Sequence, residues 1–222
     1  MREPVSGTIA ENVRSILGQL PPGVQLEAAA KTRQPVEVLE AIRAGVTIIG
    51  ESYIQEAERI YQSVGNRASW HLIGHLQKNK IKKAAFLFDM IETIDSAETA
   101  SELDRCCVHL NRIMPVLIEV NSGREKQKSG VLPEAVENLA GDIIACSNLR
   151  LAGLMTIGPA CNNPEELRPY FAETRRIYEK LKSLSGTDIK YMSMGMTDSY
   201  RIAIEEGANL VRIGTGIFGQ RA

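Results

Sequence analysis

A lysine that could form a covalent bond with an aldehyde lies near the start of the chain. Lys31 follows three consecutive alanines, residues 28–30, at the end of an apolar run that is typical of a strand. At the mouth of a barrel such a side chain is partly desolvated, which favours the neutral amine. A neutral lysine amine can attack an aldehyde and form a Schiff base. The alternative is a lysine that extends its ammonium group to the rim without a chemical role, and position alone does not separate the two.

Two glycine-containing segments near the C-terminus have the residue types of phosphate-binding loops. The first runs from Ser193 to Asp198 and the second from Gly214 to Gly219. Glycine lets the backbone approach a ligand closely, and hydroxyl and free N–H groups at a helix N-terminus bind anions. Phosphate sites in barrels often use the loops after the seventh and eighth strands. Two ordinary turns capped by threonine or aspartate are the alternative.

The second segment also matches the letters of a dinucleotide-binding motif. Gly214, Gly216 and Gly219 have the G-x-G-x-x-G spacing. That motif needs the rest of a βαβ unit and an acidic residue about twenty positions later. This sequence continues for three residues beyond Gly219, so we do not expect a dinucleotide site.

An arginine interrupts the last apolar run. Arg212 lies between Val211 and Ile213. A buried arginine keeps its charge and therefore needs a partner. We expect either a salt bridge across the barrel, for example to Glu51, or a hydrogen bond to the ring nitrogen of a cofactor. The residues alone slightly favour the salt bridge.

Two histidines four positions apart, His71 and His75, are a weak indication of a metal site. The H-x-x-x-H arrangement binds metal when both residues lie on a helix, whereas these two span a strand end and a turn. No acidic third ligand is near them in the sequence. We therefore predict no metal site, and interpret His71 as part of a pocket wall or as a core histidine with a hydrogen-bond partner.

The composition is that of a globular protein and excludes several functional classes. The 222 residues are 44% hydrophobic and 24% charged, with a net charge of -1, which lacks the basic excess of nucleic-acid-binding proteins. No apolar run is long enough to cross a membrane, and the N-terminus lacks the apolar core of a signal peptide. The four cysteines include no C-x-x-C pair, so we expect reduced thiols and a cytoplasmic protein.

Short apolar runs alternate with amphipathic segments along the chain. The runs predict eight strands, over residues 26–30, 46–49, 70–73, 90–94, 116–120, 151–157, 189–192 and 210–213. Apolar residues at helical spacing predict helices over about residues 35–44, 53–63, 77–85, 100–110, 133–143, 167–181 and 198–207. A further helix, from Thr8 to Leu20, precedes the first strand.

Eight strands, each followed by a helix or turn, predict an α/β protein with a single (β/α)8 TIM barrel. We place the barrel at residues 25–219 and an N-terminal helical extension at residues 1–24, in one domain over residues 1–222. An open doubly wound sheet is the alternative, but eight regular units favour closure. Because a barrel forms its site at the C-terminal ends of its strands, Met155 at the end of the sixth strand joins the candidate residues.

Several stretches, in order along nearly the whole chain, resemble the pyridoxal 5′-phosphate (PLP) homeostasis protein family. They are Ala30 to Thr32, Gly50 to Glu56, Trp70 to Gly74, Leu76 to Lys80, Glu119 to Asn121, Glu125, Lys128 to Gly130, Gly153 to Met155, Ser193 to Asp198 and Val211 to Gly219. No single stretch is specific, but together they are. Since that family is related to the barrel domain of alanine racemase, the resemblance implies a PLP barrel of fold type III.

The resemblance implies roles for the candidate residues. Lys31 would carry PLP as a Schiff base, and Arg212 would face the pyridine nitrogen. Five residues of the two loops would hold the phosphate: Ser193, Gly195, Thr197, Gly214 and Thr215. We add His71, Ser52 and Met155 as residues close to the cofactor.

The chain departs from the family's pattern at three positions near this site. Ser52 stands where the family usually has asparagine, and His75 stands where it usually has proline. Thr197 replaces a common serine and keeps the hydroxyl. The departure at Ser52 leaves the contact near the cofactor open, although it does not affect the choice of cofactor.

An arginine at the pyridine nitrogen has a chemical consequence. Because a guanidinium does not readily lose its proton, the nitrogen stays unprotonated and the ring is a weaker electron sink. Alanine racemase-like enzymes add a second β domain and a tyrosine from a partner subunit, and this sequence ends soon after the second loop. We therefore expect a non-catalytic protein that buffers or delivers PLP and influences amino-acid and keto-acid pools.

Other functions stay open. The chain could be a PLP-dependent amino-acid racemase, or a barrel aldolase that uses Lys31 without a cofactor. Racemisation needs a second basic residue opposite Lys31, for which the sequence offers no convincing candidate. Besides PLP, the expected partners are PLP-dependent apoenzymes or regulatory proteins, with neither nucleic acid nor membrane. The lack of a racemase-type dimer interface favours a monomer.

Overall fold

A closed barrel of parallel strands forms the centre of the computed structural model, which describes residues 7–185 and 189–220. The strands are β1 (Gln25–Ala29), β2 (Ile48–Glu51), β3 (Ser69–Leu72), β4 (Met90–Ile94), β5 (Met114–Val120), β6 (Leu149–Thr156), β7 (Tyr191–Ser193) and β8 (Leu210–Ile213). Each strand pairs with the next, and β8 pairs with β1. The TIM barrel predicted from the sequence is confirmed.

Helices cover the outside of the barrel. They are α1 (Ile9–Gln19), α2 (Pro35–Arg43), α3 (Ile54–Val64), α4 (Ile81–Leu87), α5 (Ala97–Leu110), α6 (Val136–Ile144), α7 (Arg168–Ser185), α8 (Tyr200–Glu205) and α9 (Thr215–Phe218). Short 3-10 turns precede three of them, at Lys78–Lys80, Pro133–Ala135 and Pro164–Leu167. Within residues 7–185 and 189–220, no helix combines the length and apolar character that a bilayer span requires.

The predicted N-terminal helix exists, and its start follows from its sequence. Thr8 caps α1 by accepting a hydrogen bond from the backbone N–H of Glu11, whose side chain accepts one from the backbone N–H of Thr8. The helix buries Val13 against the core. The Asn12 Nδ2 atom also donates a hydrogen bond to the carbonyl oxygen of Ile217, at 3.0 Å. Helix α1 thereby contacts α9, near the other end of the described chain.

The strand boundaries agree with the predicted runs at β4 and β8 and differ elsewhere by one or two residues, most at β2. Both β2 and β7 begin two residues later than predicted, so that Gly50, Glu51 and Ser193 lie inside strands rather than in the loops after them. Apolar character set the predicted boundaries, whereas backbone pairing sets the observed ones. The register pairs Gly50 with Ala29 and Ser193 with Met155 and Leu210, although these strand ends are not apolar runs.

Two helical regions also differ from the prediction. The predicted helix over residues 77–85 begins as a 3-10 turn and becomes α-helical at Ile81. The segment after β8, interpreted as a loop, contains the short helix α9. A helix of four residues is too short for a periodic pattern to reveal it.

The apolar core has two parts. The larger lies between the barrel and its helices and includes the fully buried side chains of Trp70, Phe88 and Phe171. The smaller lies inside the barrel, where Met90, Leu117, Ala152 and Met155 pack together. This apolar cluster therefore occupies only part of the barrel interior.

We predict that Gly153→Ala destabilises the barrel strongly. A Cβ atom at position 153 would lie 1.8 Å from the carbonyl oxygen of Tyr191 in the neighbouring strand, so β6 and β7 would have to separate. We expect the free energy of unfolding in urea to fall by about 3 kcal/mol or more. Gly141→Ala is the control, since it meets no atom within 4 Å on helix α6 and should raise stability by about 0.5–1 kcal/mol. Equal stabilities of the two variants would contradict this account.

Candidate functional site

Lys31 lies at the C-terminal end of the barrel, two residues after β1. Its side chain is half-buried, and Nζ is 4.8 Å from the centre of the Tyr53 ring. It lines a pocket of about 330 Å³ together with Ser52, Gly74 and His75. The pocket thus contains the predicted nucleophile and two of the three positions where the sequence departs from the family pattern.

The backbone turns sharply directly after Lys31. Thr32 has a φ of 66°, which is uncommon for a β-branched residue and costs on the order of 1–3 kcal/mol. Its N–H donates a hydrogen bond to Oε2 of Glu56 at 2.8 Å, which holds the turn. The next residue, Arg33, donates from Nη2 to the carbonyl oxygen of Gly219 at 2.6 Å. These bonds fix the segment that carries Lys31 to α3 and to the end of the last loop.

The two predicted phosphate loops meet. The Thr215 hydroxyl donates to the Thr197 hydroxyl at 3.1 Å, and the N–H of Gly216 donates to the same oxygen at 3.1 Å. A Cβ atom at Gly214 would lie 3.3 Å from the carbonyl oxygen of Ala29, at the end of β1. The loops therefore lie side by side, next to the strand that leads to Lys31.

A larger cavity, of about 690 Å³, opens beside the first loop. Thr197 and Asp198 line it from the loop, and Arg201 lines it from helix α8. Residues 159–162, which follow β6, form another wall. Thr197 therefore faces open volume as well as the second loop.

Ser193 and Arg212 lie inside the barrel rather than in the loops. The Ser193 hydroxyl donates to Oε2 of Glu92 at 2.6 Å and accepts a hydrogen bond from Nη1 of Arg212. The Nη2 atom of Arg212 donates to the carbonyl oxygen of Thr156 at 2.8 Å. Both side chains are buried. Since β4 and β7 are not neighbouring strands, Glu92 and Ser193 can meet only across the interior.

The expected salt bridge between Arg212 and Glu51 is wrong. A Cβ atom at Gly50 would touch Oε1 of Glu27, a strand residue of β1. Successive residues of a strand face opposite sides, so the next residue, Glu51, faces the helices. There the charges that act on its carboxyl include those of Glu56 and Arg59.

A buried polar cluster surrounds His71, and the sequence analysis missed it. Nδ1 of His71 is 2.8 Å from Oε1 of Glu92 and 3.9 Å from Oε1 of Glu27, and all three side chains are buried. The interpretation of His71 as a core histidine with a hydrogen-bond partner agrees with this contact, and its acidic neighbours, which are distant in the sequence, come near it because the barrel closes. A signal was available: each glutamate interrupts an otherwise apolar strand, Leu26 to Ala30 or Met90 to Ile94.

The two carboxyls of this cluster differ in protonation. Burial, followed by the nearby charge of Glu92, raises the pKa of Glu27 well above its ordinary value. Burial opposes the charged form of Glu92 as well, but the hydrogen bond and charge of His71 and the charge of Arg212 outweigh it and lower the pKa of Glu92. Glu92 is therefore the anion that anchors Arg212 through Ser193.

Two further buried carboxyls have raised pKa values. Burial and the charge of Asp95 raise the pKa of Glu119 to about 7, against the opposing charge of Arg212. Burial and the charge of Glu56 raise the pKa of Glu51 to about 8. Near neutral pH these groups are partly or mostly protonated, and partial protonation of Glu119 reduces the negative charge near Arg212.

The remaining predicted site residues are buried. Met155 is fully buried in the apolar cluster inside the barrel, and His71 is paired with Glu92. Gly195, in the first loop, has a φ of 91°, which favours glycine. The structure thus brings Ser52 and Lys31 to one pocket and joins Thr197, Gly214 and Thr215 beside it, while Ser193, Arg212, His71 and Met155 lie inside the barrel.

Comparison with known proteins gives a consistent result. Residues 6–222 match the family model described as alanine racemase, N-terminal domain. The chain is 37% identical to the pyridoxal phosphate homeostasis protein of Aquifex aeolicus, over 89% of this chain and 87% of that protein. It is 40% identical to the protein of the same name from Haemophilus influenzae, over 89% and 85%.

Solved structures show the same architecture. PipY of Synechococcus elongatus PCC7942, solved with PLP bound, is 32% identical with a TM-score of 0.88, over 96% of this chain and 100% of that chain. Alanine racemase of Clostridium difficile, in complex with cycloserine, has a TM-score of 0.77 at 16% identity, over 96% of this chain and 60% of the racemase chain. The second likeness concerns the fold alone.

We predict that Glu51→Gln weakens the pH dependence of stability. In the folded protein Glu51 has a pKa of about 8, whereas an unfolded chain releases this proton near pH 4.3. The folded state therefore holds a proton that the unfolded state lacks between these values, and the free energy of unfolding falls as pH rises through that window. The variant should remove up to about 1.4 kcal/mol of this fall for each pH unit.

Urea denaturation at pH 5, 6, 7 and 8 measures this effect. The wild type should lose more stability than the variant between pH 5 and 8. Parallel curves for the two proteins would show that the Glu51 carboxyl does not carry a raised pKa.

Proposed function

Because this chain belongs to the alanine racemase N-terminal domain family and, within it, to the pyridoxal phosphate homeostasis proteins, we propose that it binds PLP inside the cell and takes part in PLP homeostasis. One observation carries this proposal. A half-buried lysine lies in a pocket at the C-terminal end of the barrel, beside two joined hydroxyl-bearing loops. The solved structure of PipY with PLP bound, at 32% identity, supports the choice of ligand.

We propose that Lys31 is the residue to which the aldehyde of PLP attaches, as a Schiff base. Lys31 lines the pocket that Ser52 and Tyr53 also line. The Tyr53 ring, 4.8 Å from Nζ, limits the directions open to the side chain. The left-handed turn at Thr32 aims the lysine while Glu56 stabilises the turn. The chain therefore supplies an amine whose position is fixed before the ligand arrives.

The phosphate would lie between the two loops. Thr197 and Thr215 supply hydroxyls that now bond to each other, and Gly216 supplies an N–H that now bonds to Thr197. An anion could replace these mutual contacts. Gly214 keeps the second loop close to β1, and a side chain at Gly216 would crowd Thr197, with Cβ 3.1 Å from its Cγ2. These residues fit a phosphate group.

We assign Ser193 a different role from the one that the family resemblance implies. Its hydroxyl bonds to both Glu92 and Arg212 and is fully buried. We propose that Ser193 holds the guanidinium of Arg212 rather than the phosphate. Arg212 would face the pyridine nitrogen and keep it unprotonated, since arginine retains its proton. PLP supplies a reactive aldehyde and an electron sink, and an arginine at the nitrogen weakens the sink.

We further propose that the protein carries or regulates PLP without turning over a substrate. The curated relatives at 37% and 40% identity bear the name of homeostasis proteins. An arginine at the ring nitrogen is compatible with this role because carbanion chemistry benefits from a protonated ring. PLP-dependent apoenzymes are the partners we propose. The four free cysteines agree with a reducing, cytoplasmic environment.

We predict that Lys31→Ala abolishes covalent PLP binding. The wild type, incubated with PLP, should show a visible absorption band that borohydride removes, and digestion should locate the reduced adduct at residue 31. The variant lacks the amine, so the band should be absent. Lys80→Ala is a matched control because Lys80 lines the same pocket, and it should keep the band. A wild-type protein that PLP does not colour would overturn the proposed function.

We predict that Thr197→Val weakens PLP binding by about tenfold or more, since a hydrogen bond to a charged group contributes about 1.5–3 kcal/mol. Absorbance titration of PLP-free protein measures the dissociation constant. Thr197→Ser retains the hydroxyl and should remain close to the wild type. The same titration with pyridoxal, which lacks the phosphate, should show no difference among the three proteins. An equal effect on pyridoxal would contradict the assignment of the phosphate to this loop.

A further inference from the structure

The polar cluster inside the barrel contains an orphaned carboxylate. No N–H or O–H group among the residues that the structure describes donates to either oxygen of Glu27, whose hydrogen-bonding neighbour is the carboxyl of Glu92, and the side chain is fully buried. A buried polar group without a partner costs free energy and calls for compensation. The surrounding side chains leave Oε1 of Glu27 facing Nδ1 of His71, at 3.9 Å. The proposed PLP site does not use this carboxylate.

Three metal-ligating groups converge at this point. One ligand atom each from Glu27, His71 and Glu92 lies within 4.8 Å of the others. Nδ1 of His71 is 2.8 Å from Glu92 and 3.9 Å from Glu27. A tetrahedral zinc ion with bonds of ~2.1 Å separates its ligand atoms by roughly 3.4 Å. The observed distances lie on either side of that value, so small side-chain shifts would complete the geometry.

The charges of the barrel interior also require a cation or protons. Glu27, Glu92 and Glu119 are buried there. Among the described residues, Arg212 is the buried arginine that bonds to Ser193, whose hydroxyl in turn bonds to Glu92. A metal ion would bind the ionised carboxylates and the neutral imidazole, and in that state the four charged groups carry two uncompensated negative charges. Two protons or one divalent cation would balance them. The cation would also give Glu27 a positively charged partner, where its present neighbour is the carboxyl of Glu92.

A neighbouring hydroxyl orients the Glu92 carboxylate, as hydrogen bonds usually orient the ligands of metal sites. The Ser193 hydroxyl donates to Oε2 of Glu92 at 2.6 Å, which leaves Oε1 directed at His71. Hydrogen bonds of this kind fix ligating carboxylates and raise metal affinity. Arg212 repels a cation, but its guanidinium bonds to Ser193 and to the Thr156 carbonyl rather than to the ligands of the cluster.

We propose that Glu27, His71 and Glu92 form a binding site for a divalent transition-metal ion, with zinc the ion that best suits the donors. Zinc binds both imidazole nitrogen and carboxylate oxygen, whereas calcium and magnesium prefer oxygen alone. Three protein ligands leave a fourth position free. Because the site is buried, the ion enters most readily during folding, and the test must supply it at that stage.

The experiment measures zinc in protein made with zinc present. The full chain is produced in zinc-supplemented minimal medium, purified with a tag that does not bind metals, and analysed by mass spectrometry for metal content. We expect about one zinc per chain, and a fall of about tenfold in Glu27→Gln, which removes one ligand. X-ray absorption of the wild type should show a nitrogen and oxygen shell at about 2.0–2.1 Å, without sulfur.

Two control variants make the outcome decisive. Glu51→Gln changes another buried glutamate in the same way, outside the cluster, and should keep the zinc. Lys31→Ala should also keep it, so loss of PLP binding and loss of zinc are distinguishable. Circular dichroism establishes that each variant is folded. The X-ray absorption measurement is made on the wild type and does not depend on the folding of any variant. Wild-type protein with less than about a tenth of a zinc per chain, sulfur in the metal shell, or folded Glu27→Gln with undiminished zinc would each overturn the proposal.

Discussion

Pairing between β1 and β8 is the constraint on which the rest of the structure depends. It closes the sheet and forces the inward side chains of eight strands into one small interior. Apolar residues fill one part, around Met90 and Leu117, and charged residues fill another. Charges that would be solvated in an open sheet must here compensate one another, which accounts for the opposite pKa directions of Glu27 and Glu92.

Arg212 connects this interior to the proposed binding site. Its guanidinium is held by Ser193 and by the carbonyl of Thr156, so β6, β7 and β8 are tied together just before the loops begin. The last loop then leads to Gly219, whose carbonyl accepts a hydrogen bond from Arg33, two residues after Lys31. The position of the lysine and the charge proposed to face the ring are therefore set by one connected framework, rather than by two independent elements.

The sequence predicted the barrel and the mouth of the site but not its interior. The apolar runs predicted the bounds of β4 and β8. The positions of Lys31, Thr197 and Thr215 directly after predicted strands placed them at the C-terminal end of the barrel. The partners of Arg212 could not be predicted. Glu92 and Ser193 meet across the barrel interior, and the spacing of apolar residues along the chain does not show which side chains meet there. The left-handed turn at Thr32 was also unpredictable, since a β-branched residue is an unusual choice there. Glutamates within apolar strands were the one signal that went unused.

The contact between helices α1 and α9 has a consequence for biosynthesis. Asn12 and Ile217 are 205 positions apart, so helix α1 is synthesised long before the residue in α9 to which it bonds. At about 5–20 residues per second this delay is roughly 10–40 seconds. During that time α1 can pack against α2 but not against α9, so the contact that joins the two ends of the described chain forms only after the barrel strands between them have been made.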